Sequence, residues 1–146
     1  VIENFVLFLY TTDYDTKKKG DKTHTANSIS CFKLHAQMFA LAKKYAIQGL
    51  AELSAQKYQA CLDSTSNSAT FVRFLESIPD IYGLTPPSME LLRGISTRFA
   101  RNRLRHFQED EKSRASYEAI TSAYPAFAQD VLDLFVKNCR CSAYRY

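Results

Sequence analysis

The chain has 146 residues, 46% of them hydrophobic and 13% aromatic, with 23% charged and a formal net charge of +4. These proportions suit one globular domain, or one domain with a short appendage, and such a mild basic excess names no partner. No apolar run approaches the roughly 20 residues needed to span a bilayer. Four scattered cysteines, Cys31, Cys61, Cys139 and Cys141, do not make a secreted disulfide framework.

Val1 is not followed by a signal-peptide pattern, and no Asn lies in a glycosylation sequon, so a cytoplasmic or nuclear protein is expected. The missing initiating Met suggests a piece of a longer polypeptide.

Ile2, Phe5, Val6 and Leu9 fall at i, i+3, i+4 and i+7 and predict an opening helix that leads into Tyr10. Its run Val6 to Tyr10 would also suit a buried strand. The apolar residues go almost all the way round, so this helix needs partners on several sides. Thr11 to Ser30 is polar and contains Lys17-Lys18-Lys19 and Gly20, which reads as a long surface loop.

Ser30 is positioned to cap a helix carrying Leu34, Met38, Leu41, Ala42 and Tyr45. After a break at Gln48-Gly49, Leu50, Leu53, Tyr58, Cys61 and Leu62 resume the helical spacing. So short a joint predicts a helical hairpin or a sharp corner. Cys31 and Cys61 read as small apolar residues on these helices.

Residues 64–68 form a linker, with Asn67 or Ser68 capping a helix whose stripe is Phe71, Phe74, Leu75 and Ile78. Pro79 should end or kink it near Ser77. Pro86 and Pro87 mark a stop and a start, and a helix from about Ser88 to Phe107 follows. It carries Leu92, Ile95 and Phe99 inward, with His106 continuing that stripe. The acids Glu109-Asp110-Glu111 oppose the macrodipole at its C-terminal end, so it should fray after Phe107. Pro125 opens a last helix with Phe127, Val131, Leu132 and Phe135 as its buried face, and residues 139–146 form a tail. The expected class is all-α.

Candidate chemistry is sparse. Asp13-Tyr14-Asp15 begins like a calcium loop, but Lys17, Lys18 and His24 occupy positions five, six and twelve. Gly20-Asp21-Lys22-Thr23 imitates a phosphate loop whose first Gly is replaced by Asp15. Cys139-x-Cys141 has no second pair nearby to complete a metal site. His24, His35 and His106 are scattered, and no Ser or Cys pairs with a His in a recognisable motif. No catalytic residue, metal or cofactor is therefore assigned. An enzyme would have to assemble its site from His35, His106 and distant acids. A basic stripe of Arg98, Arg101 and Arg105 is the feature that would suit nucleic acid, although Phe99 and Phe107 point toward the core rather than interleaving with it.

Glu3-Asn4-Phe5 through Leu9-Tyr10-Thr11-Thr12-Asp13-Tyr14, then Leu34-His35 and Ala40 to Leu50 with Ala42-Lys43-Lys44-Tyr45, resembles the second half of a BTB/POZ domain of fungal type. Residues 1–63 would be that half, and residues 69–138, more loosely, the helical extension that follows it. The resemblance implies a non-enzymatic protein–protein interaction module that self-associates or recruits a protein partner. In some members that partner is a cullin-type ubiquitin ligase scaffold. Such adaptors carry an apolar-x-acidic triplet where this chain has Leu34-His35-Ala36. It also implies that the strand-bearing half of the domain is absent here, leaving the first helix to be covered by later helices or to stay exposed. The interaction residues assigned on this reading are Phe5, Leu9, Tyr10, Leu34, His35 and Met38. The alternative function is a nucleic-acid-associated helical domain using Arg98, Arg101 and Arg105.

Overall fold

Helical periodicity dominates the sequence, and in a computed structural model, which describes residues 1–14, 30–83, 86–107 and 109–142, it becomes an all-α chain. The helices are α1 (Ile2–Thr11), α2 (Cys31–Lys44), α3 (Gln48–Asp63), α4 (Ser68–Leu75), α5 (Ile78–Tyr82), α6 (Pro86–Phe107), α7 (Glu111–Ala123) and α8 (Pro125–Ser142). Among the described residues there is no strand. They form two compact units, Val1–Ser64 and Thr65–Tyr146. Lys17–Lys19, Asp15, the Gly20–Thr23 pattern and His24 lie outside the described residues, as do the side chains of Cys139 and Cys141.

In the first unit α2 and α3 form an antiparallel hairpin around Phe32, Met38, Phe39, Leu50, Tyr58 and Leu62, all essentially inaccessible to solvent. The joint is not at Gln48-Gly49 as the sequence suggests. Gly49 lies inside α3, and the chain reverses at Tyr45-Ala46-Ile47. Ala46 takes the left-handed conformation, φ 55°. The Ile47 N–H donates to Ala42 O at 2.9 Å, and the Ala46 N–H to Lys43 O at 3.4 Å. This is a Schellman closure with alanine at the position glycine usually fills. Ser30 stands at the α2 cap position as expected, but its hydroxyl makes no capping bond.

In the second unit the expected punctuation is present. Asn67 caps α4 through a reciprocal box with Thr70, its side chain accepting from the Thr70 N–H at 2.9 Å. Pro79 falls in the first turn of α5, where its missing N–H costs nothing. Gly83 closes α5, and a Cβ there would lie 2.5 Å from Pro79 O. The core centres on Phe71, Phe74 and Phe99, with Phe74 and Phe99 edge to face at 4.9 Å, within the favoured range for aromatic pairs. A second cluster joins Tyr82, Tyr117 and Phe127.

The acids after α6 have a clear role. Asp110 is the N-cap of α7, accepting the Ser113 N–H at 2.8 Å, and Glu111 occupies that helix's first turn. Charges that oppose the end of α6 therefore favour the start of α7, whose dipole places positive potential there. Bonding to Ser113 lowers the Asp110 pKa. Other expectations need correction. Phe127 and Val131 are buried, but Leu132 and Phe135 are exposed, and His106 is exposed rather than continuing the inner stripe.

A left-handed alanine costs about 1–2 kcal/mol relative to a residue without a Cβ clash. Ala46→Gly should therefore raise the stability of the first unit by about 1 kcal/mol, after the greater flexibility of glycine in the unfolded chain is deducted. Urea unfolding should show a higher midpoint at unchanged slope; a lower midpoint would contradict this account of the turn.

Candidate interaction surface and its anchor

The first helix buries no residue. Its stripe Ile2, Val6, Leu9 and Tyr10 follows i, i+4, i+7 and i+8 spacing, so these side chains lie on one face. Their exposures are 76, 44, 55 and 86%, and Leu7 beside them is 42% exposed. Glu3 is the charged residue of this helix. Leu9, on the apolar spacing of the opening helix, faces solvent. Phe5, on the flank of the stripe, is half-buried, with its ring centroid 5.6 Å from that of Tyr45.

Beyond α1 the chain is tied to the hairpin. Thr12 ends the helix in a left-handed conformation, φ 59°, its N–H donating to Phe8 O at 2.8 Å. Two residues later Tyr14 is buried, with its hydroxyl 2.8 Å from His35 Nδ1 on α2. Lys57 on α3 holds the same segment in three ways. Its ammonium donates to Tyr14 O at 2.6 Å, pairs with Asp13 Oδ1 at 2.8 Å, and lies 4.8 Å from the Tyr14 ring centroid.

The electrostatics follow from this packing. The hydrogen bond from Lys57 and that from the Tyr14 N–H lower the Asp13 pKa. Burial raises the Tyr14 phenol above its ordinary range, so it stays protonated. Burial, with the nearby Lys57 charge, depresses the His35 pKa to about 4. We therefore assign a neutral imidazole with its proton on Nε2, so that Nδ1 accepts from the tyrosine hydroxyl.

Of the six residues assigned to interaction from the sequence, Leu9 and Tyr10 are exposed and Phe5 is at the margin. Leu34, His35 and Met38 are buried within the first unit and serve its packing. Their assignment came from the family resemblance, and helical spacing alone reads the same for an inner or an outer face. The Tyr14 anchor escaped sequence reasoning because Tyr14 and His35 are 21 residues apart and no local period connects them.

The second unit contains an open cleft of about 600 Å³ between α6 and α8, lined in part by Glu90, Arg93, Thr97, Asp130, Asp133 and Lys137. Three of its charged groups are engaged with neighbours. Tyr82 donates to Asp130 Oδ2 at 2.7 Å, Arg93 stacks 4.4 Å over the Tyr82 ring, and Gln129 donates to Asp133. Neither His35 nor His106 lines it. Among the described residues no group of three or more His, Cys, Asp or Glu converges as metal ligands, and no helix is long and apolar enough to cross a membrane. In the basic stripe, Arg98 and Arg105 are exposed, whereas Arg101 is half-buried with its guanidinium 5.7 Å over Phe135.

Residues 3–65 match the family described as the HAC6 N-terminal domain. This corrects the resemblance drawn from the sequence: the match is to that family and not to BTB/POZ, and the absent strand-bearing half and the ubiquitin ligase adaptor role fall with it. The motifs behind the resemblance were short helical segments, whose apolar spacing many helical hairpins share. The matched stretch and the first compact unit share nearly the same boundaries. No curated protein and no solved structure matches the chain.

The His35 environment predicts a pH dependence. The ring titrates near 6.5 in the unfolded chain and about 4 in the folded one, so the unfolded state binds more protons between those values. The contribution is fully present above about pH 6.5 and is lost as pH falls toward 4, by up to about 3 kcal/mol. His35→Gln should flatten the change in urea-unfolding stability between pH 7 and pH 5. An unaltered slope would show that His35 is not buried in its neutral form.

Proposed function

We propose that this chain is a non-enzymatic protein–protein interaction module that self-associates by pairing α1 with α1 of a second copy. The observation that carries this reading is the exposed stripe Ile2, Val6, Leu9 and Tyr10. Monomeric proteins scatter exposed apolar residues singly, and a contiguous stripe of large ones marks a contact surface.

The spacing favours another helix as the occupant. Ile2, Val6 and Leu9 repeat as the seam of a coiled-coil interface does, four residues and then three. A second copy supplies the same seam, and a two-fold axis brings identical patches together. In an antiparallel pair the two Glu3 side chains lie at opposite ends, so no like charges oppose one another. The face calls for no anionic partner, since α1 carries no basic residue.

Size limits the strength. A helix of ten residues is about 15 Å long. Its stripe is small beside the roughly 800 Å² that each partner contributes to a standard interface. Burying four half-exposed apolar side chains yields a few kcal/mol against the cost of association, which places α1 pairing in the micromolar to millimolar range. The result is a reversible contact controlled by local concentration.

Sedimentation velocity of the full chain from about 1 µM to about 1 mM should show a monomer giving way to a dimer. Val6→Glu with Leu9→Glu alters exposed positions only and should leave unfolding stability within about 0.5 kcal/mol while weakening the dimer at least tenfold. A monomer throughout that range, or a dimer indifferent to both substitutions, would overturn self-association through α1.

A further inference from the structure

The hairpin register brings together two side chains that the sequence separates by 30 positions. The reversal is centred on Ala46, and Cys31 and Cys61 each lie 15 residues from it, at the start of α2 and near the end of α3. Neighbouring pairs hold the same register, with the Phe32 and Tyr58 rings edge to face at 5.9 Å. At the open end of the hairpin Cys31 stands one turn before His35 and Cys61 one turn after Lys57, two residues that both touch Tyr14, so the thiols share one face of the hairpin, and the neighbouring Cys31 raises the Cys61 pKa. Both are free thiols and half-buried, within reach of a small oxidant.

We propose that Cys31 and Cys61 form a dithiol site that closes, under a disulfide oxidant such as oxidised glutathione, into a disulfide clamping the open end of the α2–α3 hairpin. The hairpin is closed at one end by the Ala46 turn, and the new bond would close the other.

The chemistry balances as two exchanges. The Cys31 thiolate attacks one sulfur of glutathione disulfide, forming a mixed disulfide and expelling one glutathione thiolate. The Cys61 thiolate then attacks Cys31 Sγ, forming the internal bond and expelling the second. Two protein thiols lose two electrons, glutathione disulfide gains them, and the two thiol protons pass to the two glutathiones. Cys31 is the first nucleophile because the neighbouring Cys31 thiol and burial both raise the Cys61 pKa and hold it protonated. Once Cys31 carries glutathione, its thiol no longer raises the Cys61 pKa and Cys61 is freed to react.

Closure joins residues 30 positions apart, a loop long enough for the bond to restrict the unfolded chain substantially. The unfolding temperature of the first unit should rise on the order of 10 °C on oxidation and fall back with dithiothreitol. This expectation does not depend on pairing through α1.

The test uses the full chain, both unaltered and with Cys139→Ser and Cys141→Ser, incubated with oxidised glutathione, alkylated and digested with trypsin without reduction. Linked peptides 23–33 and 58–73 are expected in both, together with the rise in unfolding temperature. Cys31→Ser and Cys61→Ser should each abolish the rise, and the remaining cysteine should be recovered carrying glutathione. Recovery of Cys31 and Cys61 unlinked from the unaltered chain, each reduced or glutathionylated, would overturn the proposal. So would linkage without a higher unfolding temperature, since the bond would then not clamp a hairpin already in register.

Discussion

The register of the α2–α3 hairpin is the constraint on which the first unit depends. It is fixed at the turn, where Ala46 accepts a left-handed backbone so that Ile47 can return its N–H to Ala42. A left-handed residue other than glycine is tolerated where surrounding bonds and packing over-determine it. Here Phe39, Leu50, Tyr58 and Leu62 bury together only if the helices meet in this register. The same pairing sets His35 and Lys57 on either side of Tyr14 and brings Cys31 against Cys61.

The anchor at Tyr14 gives α1 a defined attachment to the hairpin. An ammonium shared among a carbonyl, a carboxylate and an aromatic face costs little to desolvate, because each donor direction has a partner. The buried Tyr14 hydroxyl and the neutral His35 ring satisfy each other, as buried polar groups must. With its C-terminal end held, α1 presents its apolar stripe outward instead of collapsing onto the hairpin. Tight anchoring beside an uncovered face is the physical basis for assigning this helix to association.

The second unit follows a different logic. Its core is aromatic, with Phe71, Phe74 and Phe99 in one cluster and Tyr82, Tyr117 and Phe127 in another. Short helices α4 and α5 are made possible by strong local signals, the Asn67 box and the first-turn Pro79. Isolated helices of that length are marginal, so their stability comes from burying Phe71, Phe74, Leu75, Ile78 and Ile81. In the cleft between α6 and α8, Asp130 and Arg93 are both held by Tyr82 of α5, which ties that short helix to its longer neighbours.

What the sequence by itself determined was local. The helical class, the cap at Asn67, the breaks at Pro79, Pro86 and Pro125, and the inward stripe of α4 all follow from backbone chemistry within a few residues. Periodicity shows that a helix has an apolar face without showing whether anything covers it. Leu132 and Phe135 therefore read as core and face solvent, while Leu34, His35 and Met38 read as contacts and are buried. The turn was misplaced to Gln48-Gly49 because glycine is the usual signal, whereas packing of the two helices selected Ala46. Only the tertiary fold decided which distant residues meet, Tyr14 with His35 and Cys31 with Cys61, because those meetings are set by the burial of whole helices against one another.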